Sequence, residues 1–537
     1  MNINDINNSI LKDSVYYFNK ILLGNCGNEI TLENGTYDLR VTYANERFFY
    51  MTNNDFGLKN VAFPIYNKKN LVIDGNGARL NGIGRICPFY IYGSENITLK
   101  NFVIDYERPF FSQGEVVAAA DDEVVIKIDQ AKYPYQIKAG VLSFVGTDYS
   151  NEFVHGILEF SKQDKRPLAD AVDNGVWGPL VVEELEPGLL KIKRKFRKLP
   201  NVGSILSIKH EQRYVPAISI DSSKNIRLEN ITVYHAGTMG VVAQFTENIT
   251  LNNFKVSIEP GSDRVVSANA DATHFVGCSG DLVVTNSLFE NQLDDILNVH
   301  GNYLRVHAVV DSTNVIAEIP HRQQVGAFSL KVGAKIGIYA DKTMVKLSET
   351  AVKSIHVINN KFYEIEFTDA FEFAADQGYC IEDLDSYPTV TFTNNKGGKN
   401  RARGLLLTSA KDILIANNEL YCEGAAIKIS ADMTGWYESG ATNSVIIKDN
   451  ILSRRNTKTW GKALIDIDPE MEEFEGYFHG NITIENNQLI VGDFPLIYGG
   501  SIDTLQIKNN NIIGSKSEIY MNAKQIKNLE IEGNTFS

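Results

Sequence analysis

A nine-residue pattern recurs along this chain. It appears as NITLKNFVI (Asn96 to Ile104), NIRLENITV (Asn225 to Val233), NITLNNFKV (Asn248 to Val256), SIHVINNKF (Ser354 to Phe362), DILIANNEL (Asp412 to Leu420), NITIENNQL (Asn481 to Leu489) and NLEIEGNTF (Asn528 to Phe536). Each copy is a short alternating strand, a turn of Asn, Asp or Gly, and a second apolar pair. Close copies are 23 or 24 residues apart, too short for a helix-containing repeat and ample for three short strands with their turns. One such coil cannot bury its inward face alone, so coils must stack strand over strand at about 4.8 Å. The pattern predicts an all-β chain, a parallel β-helix of roughly ten coils. The recurring turn Asn tolerates a left-handed backbone and can bond its equivalent in the next coil, so most of these asparagines read as structural ladders.

Two stretches break the repeat. Residues 114–210, with GEVVAAADDEVVIKID and GPLVVEELEPGLLKIKRKF, read as hairpins of an inserted antiparallel, β-barrel-like domain, and residues 303–350 as a smaller second one. The coils are then expected over residues 1–113, 211–302 and 351–537, and both insertions leave the coils beside one acidic segment, where they can wall a pocket.

Composition narrows the function classes. Lys and Arg total 52 against 66 Asp and Glu, a net charge of −14, and no basic block tracks a phosphate backbone. Nucleic acid is excluded as the expected partner. KIKRKFRK (Lys191 to Lys198) reads as a solvated strand face, with an anion-binding patch as the competing reading. Cys26, Cys87, Cys278, Cys380 and Cys422 are scattered without CxxC pairing and read as buried thiols. No run of 18 apolar residues and no basic-then-apolar leader is present, so no membrane partner and a cytoplasmic location are expected, or an extracytoplasmic one had a leader been removed.

The acidic segment, NADATHFVGCSGDLVVTNSLFENQLDDILNVHG (Asn269 to Gly301), carries Asp271, Asp294 and Asp295. Asp271 and Asp294 are 23 residues apart, one coil, which predicts that they are neighbours on stacked coils, with Asp295 turned to the same side by a turn or bulge. A single turn Asp is usually structural. Three carboxylates at one level repel and raise one another's pKa, costly in a scaffold and useful as acid and base. His274, His300, Asn298 and Arg264 flank them and are candidates to bind hydroxyls, as is Arg213 in HEQRYVP, where the first insertion rejoins the coils. For each histidine a satisfied structural donor is the competing role. The 26-residue spacing of the histidines has no metal-box character, so no metal and no cofactor are expected. Trp436 and Trp460 read as packing over the coils rather than as sugar platforms.

ADATHFVGCSGDLVVTNSLFENQLDDILNVHGNYL closely resembles the central motif of glycoside hydrolase family 110. DGNGARLNG (Asp74 to Gly82), ITLKNFVIDYERPFF and the repeat layout extend the likeness over most of the chain. The resemblance implies an exo-acting, inverting α-1,3-galactosidase on a right-handed parallel β-helix with β-barrel insertions, taking terminal galactose from α-galactosyl glycans of the blood-group B type. It implies Asp271 as general acid and the Asp294–Asp295 pair as holder and activator of the attacking water, and it leaves a homodimer open. The competing classes are a polygalacturonase-like hydrolase, a polysaccharide lyase, and a non-catalytic carbohydrate-binding β-helix; the last would not need stacked acids.

Overall fold

The computed structural model describes residues 14–24, 27–169, 171–211, 213–455, 460–514 and 521–537. The pairing shows why the repeat folds as it does. The first apolar residues of successive copies, Ile97, Ile226, Ile249, Leu282, Val390, Ile413, Val445, Ile482 and Leu505, lie one above the next in a continuous parallel ladder. The second apolar pair makes another, from Ile104 through Val233, Val256 and Phe289 to Leu420, Leu452, Leu489 and Ile512. Between the copies a third ladder runs through Ile218–Asp221, Val241–Gln244, Thr273–Val276, the start of Leu297–Asp311, Leu405–Leu407, Ile427–Ile429 and Ile465–Ile467. Alternation sends every second side chain inward, and the inward residues of all three ladders form one continuous apolar core. Each fully buried Ile or Leu there contributes about 1.5–3 kcal/mol. At one end the helix Ser14–Leu23 lays Val15, Phe18 and Leu22 on this core, with Phe18 stacked on Phe63 at 4.1 Å.

The turns are held by amide ladders. Asn96 donates to Asn70 at 2.8 Å, Asn225 to Asn96 at 2.8 Å and Asn248 to Asn225 at 2.9 Å. Their backbones are left-handed, φ 55–58°, a conformation Asn adopts more readily than most residues. A second, buried ladder joins Asn418, Asn450, Asn487, Asn510 and Asn534 at 2.9–3.0 Å, and each side-chain oxygen also accepts a backbone N–H of the coil before it.

Residues 112–209 form a separate nine-stranded antiparallel sheet with its own core. The ladder crosses this insertion without a gap, since Ile97 pairs directly with Ile226. Within KIKRKFRK, Lys191 and Lys193 face Glu123 and Glu183 across the sheet at 3.6 and 2.8 Å. The second antiparallel sheet is larger than the sequence suggested. Lys346–Val357 pairs antiparallel with Phe362–Phe367, and the sheet closes with Tyr379–Asp383. SIHVINNKF is therefore a hairpin of this insertion and not a coil, and the boundary expected near Thr350 moves beyond Asp383. An alternating strand followed by an Asn turn has the same local pattern in both settings; only the partner strand differs. Cys87, Cys278, Cys380 and Cys422 are buried free thiols, and Cys26 lies outside the described residues. No helix among the described residues is long and apolar enough to cross a membrane.

The buried ladder makes a testable contribution. Asn450→Ala strips an acceptor from the Asn418 N–H and a donor from the Ile415 carbonyl, each inside the stack. At about 1–3 kcal/mol per buried polar group left unpaired, thermal unfolding should start several degrees lower than in the wild type. Asn230→Gly, in the exposed stack Asn101–Asn230–Asn253, removes two exposed side-chain hydrogen bonds without backbone strain and should lower it by less.

Candidate active site

The acids are brought together by coil register. Thr273 pairs with Leu297, and Leu297 with Leu405, so Asp271, Asp295 and Arg403 occupy the same position on successive coils. The backbone confirms the phase: the Ala272 N–H donates to the Asp295 carbonyl at 2.8 Å. Asp295, not Asp294, is thus the neighbour stacked on Asp271. The expected phase failed because this coil is 24 residues long rather than 23, Thr273 pairing with Leu297; the next coil resumes at Pro388–Thr393, beyond the second insertion. Asp294 stands one residue off this column and still reaches it: one carboxylate oxygen from each of the three acids fits within a 4.8 Å cluster.

Three arginines compensate this charge. Arg403 forks onto Asp295, with Nε 2.9 Å from Oδ1 and Nη2 2.8 Å from Oδ2, while its backbone N–H donates to Oδ1 at 3.1 Å. Arg213, Arg401 and Arg403 surround Asp294 at 3.7, 3.8 and 3.9 Å. Three clustered carboxylates can hold a cation; here the protein supplies its own cations to two of them, Asp294 and Asp295. Burial opposes the charge on Asp294, yet the guanidiniums prevail and hold it below the usual carboxylate range. Asp271 has no guanidinium fork. Burial first, and the charge of Asp294 second, push it up to about 7. Burial also pushes Asp295 up to about 7 against the opposing Arg403. Because all of Asp295's oxygen contacts named above are N–H donors, the proton held by the cluster belongs on Asp271.

Hydrogen-bond complementarity points the same way when both histidine rings are neutral. His300 Nδ1 lies 2.7 Å from the Gly301 carbonyl, which can only accept, so Nδ1 carries a hydrogen. Burial holds His300 below its ordinary pKa and His274 at about 4, so both rings are neutral near pH 7. His300 Nε2 must then accept from His274 Nε2, 3.0 Å away. That leaves His274 Nδ1 as an acceptor, and its partner is Asp271 Oδ2, which has to be the donor. The chain from Gly301 therefore requires a protonated Asp271. Its far end is braced where Gly301 and Asn302 pair antiparallel with Ser439 and Glu438; a Cβ on Gly301 would lie 2.5 Å from Ser439 Oγ. Glu438 Oε1 sits 3.4 Å from His300 Nε2 and accepts from Asn53 at 3.0 Å.

These groups line a pocket of about 140 Å³ with Asn298, Thr408 and Trp436. That is smaller than the roughly 300–1,000 Å³ of drug-sized sites and suits one small polar ring. Of the sequence candidates, Asp271, Asp294, Asp295, His274, Asn298 and Arg213 line it, and His300 stands directly behind His274. Asn298 Oδ1 and Arg213 Nε and Nη1 are buried and bond to no group among the described residues, which leaves them for a ligand. Arg264 lies elsewhere: it bonds Asp105 at 2.6 Å, and Asp105 also receives Arg79 at 2.7 Å. An arginine close in sequence to the acids is here a strut between coils. Trp460 is buried against Arg401, whereas Trp436 lines the pocket itself, contrary to the packing role expected of it.

Sequence reasoning missed Arg401, Arg403 and Glu438. The arginines were legible in principle: RARGLLL (Arg401 to Leu407) takes the phase of LDDILNV (Leu293 to Val299) once the second insertion is excised. Glu438 carries no such signal, because it comes from a long turn folded back over Gly301.

Residues 112–206 match the family model described as GLAA-B beta-barrel domain I. The whole chain is 33% identical to alpha-1,3-galactosidase A of Shewanella woodyi over 91% of its length and 80% of the relative's. It is 31% identical to alpha-1,3-galactosidase B of Bacteroides thetaiotaomicron, covering 91% of this chain and 81% of that one. The figures for alpha-1,3-galactosidase B of Parabacteroides distasonis are 33%, 91% and 82%.

The tautomer chain can be read directly. In histidine-labelled protein, ¹⁵N NMR near pH 7 should show His274 protonated on Nε2, His300 on Nδ1, and neither ring charged. An imidazolium signal from either ring would break the derivation of a protonated Asp271.

Proposed function

The chain belongs to the α-1,3-galactosidases of glycoside hydrolase family 110, and on that premise we propose that the acid pocket hydrolyses terminal α-1,3-linked galactose with Asp271 as the proton donor. The scaffold in this reading is a right-handed parallel β-helix, and the single-ring pocket makes the enzyme exo-acting. The observation that carries it is the separation of roles within the cluster: one buried, protonated carboxyl beside two held by guanidiniums. Glycoside hydrolysis needs that asymmetry, one acid at the leaving oxygen and one ionised base. Asp294, ionised and partly open, is the base that activates water, and Asp295, locked by Arg403, orients that water. Asn298 and Arg213, with their unpaired polar atoms, bind galactose hydroxyls.

Inversion comes from the family and not from the spacing. Inverting pairs usually stand about 6.5–9.5 Å apart and retaining pairs about 5–5.5 Å; oxygens of this cluster approach within 4.8 Å. Proton NMR of the first product decides: β-galactose is expected, and α-galactose would reject the inverting mechanism.

The acid assignment has its own measurement. A sugar leaving group needs nearly full proton donation and an activated aryl group little. Asp271→Asn should therefore slow galactobiose hydrolysis by about 10²–10⁴-fold while largely sparing an activated aryl α-galactoside. Asp294→Asn should slow both alike, and azide should rescue it on the aryl substrate as β-galactosyl azide. If the selective loss falls on Asp294→Asn instead, the two roles are exchanged.

The pH dependence follows from the same cluster. Asp271 is raised above its ordinary value, so its working acid form is present below about 7 and disappears as pH rises through that value. The alkaline limb of kcat/KM should lie near 7, and in the residual activity of Asp294→Asn it should move to lower pH, because a neighbouring negative charge has gone. An unmoved limb would show that it reports another group.

A further inference from the structure

On the side of the first antiparallel sheet, the acid pocket adjoins a cleft of about 400 Å³, with which it shares Arg213, Asp294 and Trp436. The sheet contributes His155, Trp177, Arg197 and Ser207 to its wall. Trp177 is 67% exposed, unusual for the residue type with the most apolar surface to hide. Its backbone is left-handed, φ 53°, a strained state for a bulky side chain, and it sits opposite the bulge between Val154 and Gly156. The surroundings hold it there. Arg194 Nη2 donates to the Gly175 carbonyl at 3.0 Å, and the Arg197 N–H donates to Asn174 Oδ1 at 2.8 Å. The indole folds over Gly175, where a Cβ would lie 3.0 Å from Nε1, and the His155 ring meets it edge-on at 5.7 Å. Arg194 and Arg197 of KIKRKFRK thus brace the backbone just before this tryptophan.

The polar edge of the cleft is also unspent. His155 Nδ1 and Ser207 Oγ are buried and bond to no group among the described residues. His155 is neutral, held at about 4 by burial, so it offers a ring nitrogen rather than a charge. A flat apolar face beside unpaired hydrogen-bonding atoms is complementary to a pyranose, which has one C–H face and a rim of hydroxyls. A second cleft that also reaches Asp294 lacks such a face: it is lined by Lys428, Lys462, Asp466, Asp468 and Glu470, and its Trp460 is occupied by Arg401.

We infer that the cleft under Trp177 binds the saccharide that carries the terminal galactose, with the indole as its stacking platform and His155 and Ser207 bonding its hydroxyls. This rests on the galactosidase reading of the acid pocket. Terminal galactose fills the single-ring pocket, and the next sugar leaves past Asp294 into the cleft. The first antiparallel sheet is in this way a specificity element for the leaving group.

The test compares Trp177→Ala and Trp177→Phe with the wild type on two substrates, an α-1,3-galactosyl trisaccharide and α-galactosyl fluoride, whose leaving group cannot reach the platform. Trp177→Ala should raise KM for the trisaccharide roughly tenfold, the equivalent of about 1.4 kcal/mol, with kcat nearly unchanged. Kinetics on the fluoride should stay at wild-type values, which also shows that the variant is folded, and Trp177→Phe should recover part of the loss. Calorimetry on the Asp271→Asn background should show weaker trisaccharide binding after Trp177→Ala and equal binding of free galactose. Equal effects on both substrates, or none on either, in an otherwise active enzyme would overturn the platform alone. A wild type that releases no galactose from either substrate would overturn the galactosidase reading, and the platform with it.

Discussion

The site depends on the register of parallel coils. Stacking strand over strand repeats each position at the spacing of a sheet, so residues far apart in sequence are fixed side by side by backbone bonds. Asp271, Asp295 and Arg403 share one such position. Two carboxylates at that spacing would repel; a guanidinium in the third coil makes the column tolerable. A one-residue slip would turn Arg403 away and leave Asp295 buried and unpaired, which is far costlier than losing one surface ion pair.

The same rigidity explains how one carboxyl differs from its neighbours. Asp294 and Asp295 are reached by arginines from later coils and from the end of the first insertion, whereas Asp271 faces the histidines of its own and the next coil. Neutral imidazoles add no charge to stabilise a carboxylate. They pass on a hydrogen-bond polarity set by the Gly301 carbonyl, a backbone group that cannot titrate. The protonation of Asp271 is therefore tied to the scaffold, and burial adds to it in the same direction.

The insertions act on this core from outside. The first returns Arg213 to the acids and raises a wall bearing Trp177; the second leaves the coils at the strand that begins Leu297–Asp311 and closes on itself at Tyr379–Asp383. Neither disturbs the ladders, since the coils on either side pair directly. The acids thus sit on the coils, and the first inserted sheet walls the cleft beside them.

Much of this was legible in the chain itself. Periodic apolar pairs and turn asparagines can bury a face and satisfy turns in only a few ways, so the all-β architecture, the amide ladders and the segment holding the acids were readable from local pattern. The likeness of one motif to a family supplied the chemistry that pattern alone left open. What tertiary structure decided was partnership. SIHVINNKF has the local form of a coil and pairs as a hairpin; Arg264 lies near the acids in sequence and bonds Asp105 instead; Asp295 rather than Asp294 stacks on Asp271; and Glu438 arrives from a turn with no periodic signal. Local sequence sets which conformations a segment can take, but the neighbour that pairs its hydrogen bonds and offsets its charge is chosen by the whole stack, and acid–base roles depend on that neighbour.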